Sequence, residues 1–145
     1  KKQVIIEAKE PILPGLAVLE YKGIVLLRQH YVDTNLFFKI AHPHVLFYSK
    51  FEDIDLCIDS SSYGNKARYI RRSCSPNAEV RHLVEHGRIH FVIFSTKDIE
   101  KGEEITIPFD YNYQECMYCV ECACLRNNCT VSKFWKKMTK NTQNK

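Results

Sequence analysis

Five of the seven cysteines fall in the stretch Cys116–Cys129, spaced C-x2-C-x2-C-x-C-x4-C. Thiolates at such spacing are soft ligands for an ion like zinc. The C-x-C-x4-C run of Cys122, Cys124 and Cys129 puts three sulfurs on one short loop, and a tetrahedral site needs a fourth from elsewhere. Cys116 and Cys119 leave other ligand sets open, including a partial second site, while Cys57 reads as a buried strand residue. All-thiolate coordination leaves no position for an activated water, so the metal expected here is structural. An odd cysteine count and this tight spacing argue against a secreted disulfide framework. His30, His42, His44, His82, His86 and His90 show no paired-ligand spacing on a helix and read as loop or strand residues.

A second chemistry is electrostatic. Arg68, Arg71, Arg72 and Arg81, together with Lys136, Lys137 and Lys140 near the C-terminus, could contact phosphates or an acidic protein surface. They could equally pair with local carboxylates such as Glu79 and Asp110. The net charge of +4 and pI near 8.6 lean basic, but 17 carboxylates are interspersed, so no continuous nucleic-acid surface follows from the total. From Ser132 onward the chain reads either as a frayed terminus with Phe134 and Trp135 tucked onto the domain, or as a functional basic arm.

These residues must be positioned by a fold that 145 residues, 45% of them hydrophobic, suffice to build as one compact domain. Most segments read as short strands between Gly, Pro, Asn or Asp punctuation: Val4 to Ala8, Ala17 to Tyr21, Ile24 to Arg28, Val45 to Tyr48 and Leu56 to Ile58. Alternation in Glu79 to Leu83 and Arg88 to Ser95 predicts an antiparallel hairpin turning at His86 and Gly87. The Ser60 to Ser62 cluster predicts the N-cap of a short helix reaching Asn65 to Tyr69, and a second helix is expected in the tail. The class is therefore mainly β with short helices. No stretch approaches the roughly 20 apolar residues of a membrane helix, and no signal-peptide core follows the basic N-terminus. A soluble intracellular domain without a membrane partner is the expectation.

The stretch R-Y-I-R-R-S-C-S-P-N, Arg68 to Asn77, resembles the R-F-x-N-H-S-C-x-P-N motif of SET domains, the protein lysine methyltransferase fold. Three further blocks match in order. Ile12 to Gly23 is similar to the family's N-terminal strand pair; Gly102 to Tyr111, G-E-E-I-T-I-P-F-D-Y, resembles its G-E-E-L-T-x-x-Y segment; Cys122, Cys124 and Cys129 resemble a post-SET motif. The wording of Arg68 to His82 and of Val45 to Phe51 is closest to the divergent trithorax-related branch that includes UpSET and the fifth mixed-lineage leukaemia protein. The resemblance implies small twisted sheets with a threaded, pseudoknotted C-terminal segment and a zinc-binding post-SET loop. It divides the chain into a SET domain at 1–115, a post-SET segment at 116–130 and a basic tail at 131–145. It also supplies the fourth zinc ligand, Cys74, beside Cys122, Cys124 and Cys129.

Three positions depart from the family. Arg71 and Arg72 replace the Asn-His pair of the S-adenosylmethionine pocket, where compact neutral side chains serve a sulfonium and an ammonium. Arg supplies donors only and is always charged; two like charges about 4 Å apart repel by roughly 4 kcal/mol at an effective dielectric near 20. Residues 1–14 contain no glycine where the family places a G-x-G against the cofactor. The catalytic tyrosine position falls on Phe109, with Tyr111 two residues on as a substitute if the segment is an extended strand; otherwise Phe109, Tyr111 and Tyr113 are core aromatics. Removing such a preorganised hydroxyl costs around 10²- to 10³-fold.

The expectation is thus a catalytically inactive or strongly impaired SET domain in a nuclear transcriptional regulator, acting as a protein or nucleosome interaction module. Structural zinc is its expected cofactor, S-adenosylmethionine is not, and Arg68, Arg71, Arg72 and Arg81 are candidate partner contacts. The resemblance implies chromatin or histone-associated partners, a histone deacetylase complex among them, and contact with nucleosomal DNA. The alternative is an S-adenosylmethionine-dependent histone lysine methyltransferase.

Overall fold

In the computed structural model, which describes residues 2–34, 38–39, 41 and 44–145, three small sheets surround one principal core. The first sheet joins β1 (Ala17–Glu20) to the long hairpin β6 (Ala78–Glu85) and β7 (Arg88–Ser95), in the order β1-β7-β6. The hairpin follows from its sequence: alternate residues Ala78, Val80, Phe91 and Ile93 face the core, and the connecting His86 and Gly87 both have positive φ, 49° and 73°. Positive φ at both central positions is what a two-residue turn matching the strand twist demands.

The second sheet, β2-β4-β3, comprises β2 (Ile24–Leu27), β3 (Val45–Tyr48) and β4 (Leu56–Asp59). β3 is buried on both faces. Its period-2 geometry sends Leu46 and Tyr48 into the principal core with Ile58, Phe91 and Ile107, and Val45 and Phe47 into a smaller cluster with Tyr31 and Cys57. Gly23, between β1 and β2, lets these sheets meet: a Cβ there would lie 2.7 Å from the backbone oxygen of Asp59.

The third sheet has two residues in each strand, β5 (Arg71–Arg72) and β8 (Thr106–Ile107), paired in parallel. β8 belongs to a segment held on both sides. On one side the backbone of residues 6–8 bonds to it, through Ile105 N–H to the Ile6 carbonyl (2.8 Å) and Ala8 N–H to the Glu103 carbonyl (3.0 Å). On the other, Asn77 clamps it by donating to the Glu104 carbonyl and accepting from Thr106 N–H, each 2.9 Å. This doubly held stretch is where the resemblance places the threaded C-terminal segment.

Several local expectations are corrected. Val4 to Ala8 forms an isolated bridge, Glu7 to Glu104, because its partner segment bends at Gly102, whose φ is +84°. Arg28 opens a helix, α1 (Arg28–Thr34), instead of ending β2. The helix after the serine cluster is a 3-10 turn, Lys66–Tyr69, capped by Asn65; Ser60 is committed to the Lys22 carbonyl and Ser61 to Asp59. β8 stops at Ile107, so Phe109, Tyr111 and Tyr113 do not share a strand. The second helix expected in the tail is present as α2 (Thr130–Gln143), with Val131 fully buried. No helix among the described residues is long and apolar enough to cross a membrane.

Asn77→Ala would leave an interior carbonyl and N–H unpaired on the threaded segment. It should destabilise the domain by about 1–3 kcal/mol in urea denaturation, the usual cost of such groups.

Candidate functional site

Cys74 lies in the loop between β5 and β6, Cys122 and Cys124 lie in the irregular chain beyond β8, and Cys129 caps α2. Their four sulfurs lie within 4.8 Å of one another, and those of Cys74 and Cys129 are 3.8 Å apart. Tetrahedral coordination at a metal–sulfur distance near 2.3 Å gives sulfur–sulfur edges of about 3.8 Å, so the four cysteines are positioned to bind a metal ion. The Cys74 N–H donates to Cys122 Sγ and the Arg126 N–H to Cys124 Sγ, orienting the ligands from outside. Burial pushes the Cys74 and Cys122 thiols up, Cys74 to about 12; at Cys129 the Ser132 N–H and hydroxyl and the neighbouring thiols outweigh burial, bringing it to about 6. Cys116 and Cys119 are not part of the group: Cys116 is buried beside Asn112 and Tyr118, and Cys119 is exposed. Cys57 is buried in β4, as expected.

Beside this cluster is a cleft of about 420 Å³, walled by Gln3 and Val4, by Arg68 to Arg72, and by residues 118–121 and Ala123. β5 is extended, so its two arginines point to opposite faces. Arg71 turns to the N-terminal segment and grips Glu104 with two hydrogen bonds, 2.7 and 2.6 Å, while its Nη1 donates to Gln3 Oε1 at 3.2 Å. Arg72 turns inward and grips Asp110 in the same forked manner, Nε to Oδ1 at 2.7 Å and Nη2 to Oδ2 at 3.0 Å. The same Nη2 donates to the Val45 carbonyl, and Asp110 Oδ2 accepts the Phe47 N–H.

The side chains of Arg72 and Asp110 are 8% and 10% exposed, so this pair is effectively interior. Burial would lower the proton affinity of Arg72, but the charge and hydrogen bonds of Asp110 more than compensate and keep it cationic. The repulsion expected between Arg71 and Arg72 is thus offset by one carboxylate for each. Of these two partners, Asp110 was a sequence candidate; Glu104 was not, because nothing in the linear pattern shows that β5 and β8 run side by side. Tyr21, in the adjacent core, carries a buried hydroxyl without a hydrogen-bond partner, and burial raises it to about 12.

The remaining candidates are dispersed. Arg81 pairs with Glu79 and lies over the Phe94 ring; Arg68 donates to the Asn65 carbonyl and lies near the Tyr69 ring. Tyr111 packs against the cluster of Tyr31, Phe47 and Cys57 and also reaches the cleft, its phenol raised to about 12 by burial. Phe109 lines a separate groove of about 360 Å³ with Tyr48, Lys50 and Glu79. Its ring contacts Tyr111 at 6.0 Å and Tyr113 at 5.3 Å. His44 donates from Nδ1 to the Arg68 carbonyl, His82 bonds to the Tyr48 hydroxyl, and His90 meets Glu20; none contributes to the metal-ligand group, and His42 lies outside the described residues.

Residues 3–112 match the SET domain family, and the chain belongs to it. The relatives it resembles include the mouse protein named inactive histone-lysine N-methyltransferase 2E, 46% identical over 143 residues, covering 97% of this chain and 8% of the relative. Drosophila melanogaster histone-lysine N-methyltransferase Set2 is 38% identical over 114 residues, covering 78% of this chain and 5% of that protein. The chain therefore spans less than a tenth of the length of these relatives. Among solved structures, KRYPTONITE in complex with mCHG DNA and SAH aligns with a TM-score of 0.63 and 25% identity, covering 86% of this chain and 25% of that one.

Asp110→Ala should destabilise the domain by about 3–5 kcal/mol in chemical denaturation, because it strands a buried guanidinium. Replacing both partners, Arg72→Met with Asp110→Leu, should cost less than the single change.

Proposed function

We propose that this chain is a catalytically silent SET domain kept as an interaction module of a chromatin regulator. The observation that carries this reading is the pair of arginines on the cleft wall at the Asn-His position, each locked to a carboxylate, Glu104 or Asp110. S-Adenosylmethionine presents an ammonium and a sulfonium, which need neutral or anionic acceptors. Arg71 and Arg72 have none to offer, and the carboxylates they face, Glu104 and Asp110, are already engaged. Gln3 and Val4 also project into the cleft, where glycine backbone would leave room. The residues therefore do not fit the cofactor of the family. At the reacting position Phe109 has no hydroxyl to orient an amine; Tyr111 lines the cleft but is packed against the cluster of Tyr31, Phe47 and Cys57.

The thiol group, by contrast, fits zinc in number, chemistry and spacing. Cys74, Cys122, Cys124 and Cys129 would hold it with no open position, joining the SET body at 1–115 to the post-SET segment at 116–130 and the basic tail at 131–145. Bound there, the ion supplies cross-linking and no chemistry. The mouse relative's name, an inactive histone-lysine N-methyltransferase, supports a non-catalytic role tied to histones; nuclear transcription regulation and a deacetylase complex among its partners are part of the proposal and rest on the family resemblance. The second reading, an S-adenosylmethionine-dependent histone methyltransferase, draws on the SAH bound in KRYPTONITE, and requires Arg71, Arg72 and Phe109 all to be accommodated.

Transfer of a radiolabelled methyl group to histones and nucleosomes should remain at the level of a protein-free control; robust turnover would overturn the proposal. Cys124→Ser should remove about one equivalent of zinc and lower the melting temperature. Unchanged metal content and melting would defeat the zinc assignment.

A further inference from the structure

Residues 130–145 contain five lysines and no carboxylate, so the other 129 residues carry 16 cationic side chains against 17 carboxylates. The basic excess of the whole chain is therefore concentrated in α2 and its end. Helical geometry then sorts it. Val131, Phe134 and Trp135 lie on the face turned to the domain, with Val131 fully buried and Phe134 against the Tyr113 ring at 5.9 Å. Lys133, Lys136, Lys137 and Lys140, at i, i+3, i+4 and i+7, form one exposed stripe on the other face.

Helix stability does not account for this stripe. The first turn of α2 has no acidic residue and includes Lys133, against the macrodipole, and no carboxylate stands four residues from any of the lysines within the helix. A merely solvated helix face would interleave both signs. None of the four lysines forms an ion pair among the described residues, whereas Arg71, Arg72 and Arg81 are all internally neutralised.

We infer that the lysine stripe of α2 is a docking surface for the phosphate backbone of duplex DNA, read without regard to sequence. The stripe spans about 10 Å at 1.5 Å per residue. Over that length duplex DNA presents about six phosphate charges, a density that four aligned cations complement. Lysine is a point-charge phosphate ligand and is depleted in protein–protein interfaces, which favours a nucleic acid over an acidic protein face. A membrane-surface helix must bury its apolar face in lipid, and here that face is occupied by the domain. The Cys129 cap and the Phe134 contact hold the lysine-bearing helix at a fixed angle, so little ordering is required on binding. This inference deepens the interaction-module reading above by naming a surface and a partner.

The test is fluorescence anisotropy of the zinc-loaded chain with a labelled duplex of arbitrary sequence across a salt series. Binding should weaken with salt at a log–log slope of about −3 to −4, and a second duplex of unrelated sequence should bind equally. Changing Lys136, Lys137 and Lys140 to Glu should lower affinity by at least about 30-fold, and changing them to Gln, which leaves helix propensity nearly untouched, should reduce the slope by about 3. Lys97→Glu with Lys101→Glu, exposed elsewhere, should have little effect. Equal binding by the Gln variant, salt-independent binding, or capture of anionic vesicles or a polyglutamate peptide with none of duplex DNA would each overturn the inference. Loss of this inference with methyl transfer still absent leaves the non-catalytic reading intact; methyl transfer with the lysine dependence intact removes that reading and spares the DNA surface.

Discussion

The buried ion pair of Arg72 and Asp110 is the constraint around which the rest of the domain is arranged. A guanidinium and a carboxylate taken out of water are tolerated only when nearly every donor and acceptor is matched. Meeting that condition draws in three separate elements: β5 supplies Arg72, the chain just after β8 supplies Asp110, and β3 supplies the Val45 carbonyl and Phe47 N–H. The pair is a poor source of net stability and a strong source of specificity, because any other register of β3 or β8 would strand a charge. Its own backbone extends the arrangement, since the Arg72 carbonyl receives the Ala123 N–H and so aligns the cysteine-bearing segment.

From that alignment follows the thiol cluster, whose ligands are separated by as much as 55 residues in sequence and meet because β5 and the following loop are already fixed. The cluster in turn sets the start of α2, as Cys129 is both a ligand position and the helix cap. One chain of dependence thus runs from the interior ion pair, through the metal-ligand group, to the orientation of a basic surface helix. In a methyltransferase the corresponding positions would shape a reaction site; in the reading proposed above, the same framework carries arginines paired with Glu104 and Asp110 at those positions.

How much of this is legible in the sequence depends on whether the signal is local. The β6–β7 hairpin is legible because alternation and the His86-Gly87 turn are contained in one stretch. Three metal ligands are legible from their spacing, but Cys74 is reached through family resemblance alone, because it lies far away in the chain. The pairing of Arg72 with Asp110 is a stated alternative in the sequence, whereas Glu104 and Gln3 as partners of Arg71 depend on threading that no periodicity encodes. Tyr111 as a substitute for Phe109 is conditional on an extended strand, which β8 ends too early to provide, and its place against Tyr31 and Phe47 matches the alternative of a packed aromatic. The apolar stripe of α2 is present at i, i+3 and i+4, but a short apolar face among lysines and polar residues resembles a frayed end until Tyr113 and the cluster give it something to pack against.

The most direct test of the central claim, that the arginine ion pairs have removed the cofactor site from a retained SET fold, is calorimetric titration of the zinc-loaded domain with S-adenosylmethionine, with a competent SET domain titrated in parallel. The account predicts no saturable heat at millimolar ligand. Stoichiometric binding in the micromolar range would contradict it, because the cofactor would then be held beside Arg71 and Arg72 despite their charge and committed partners.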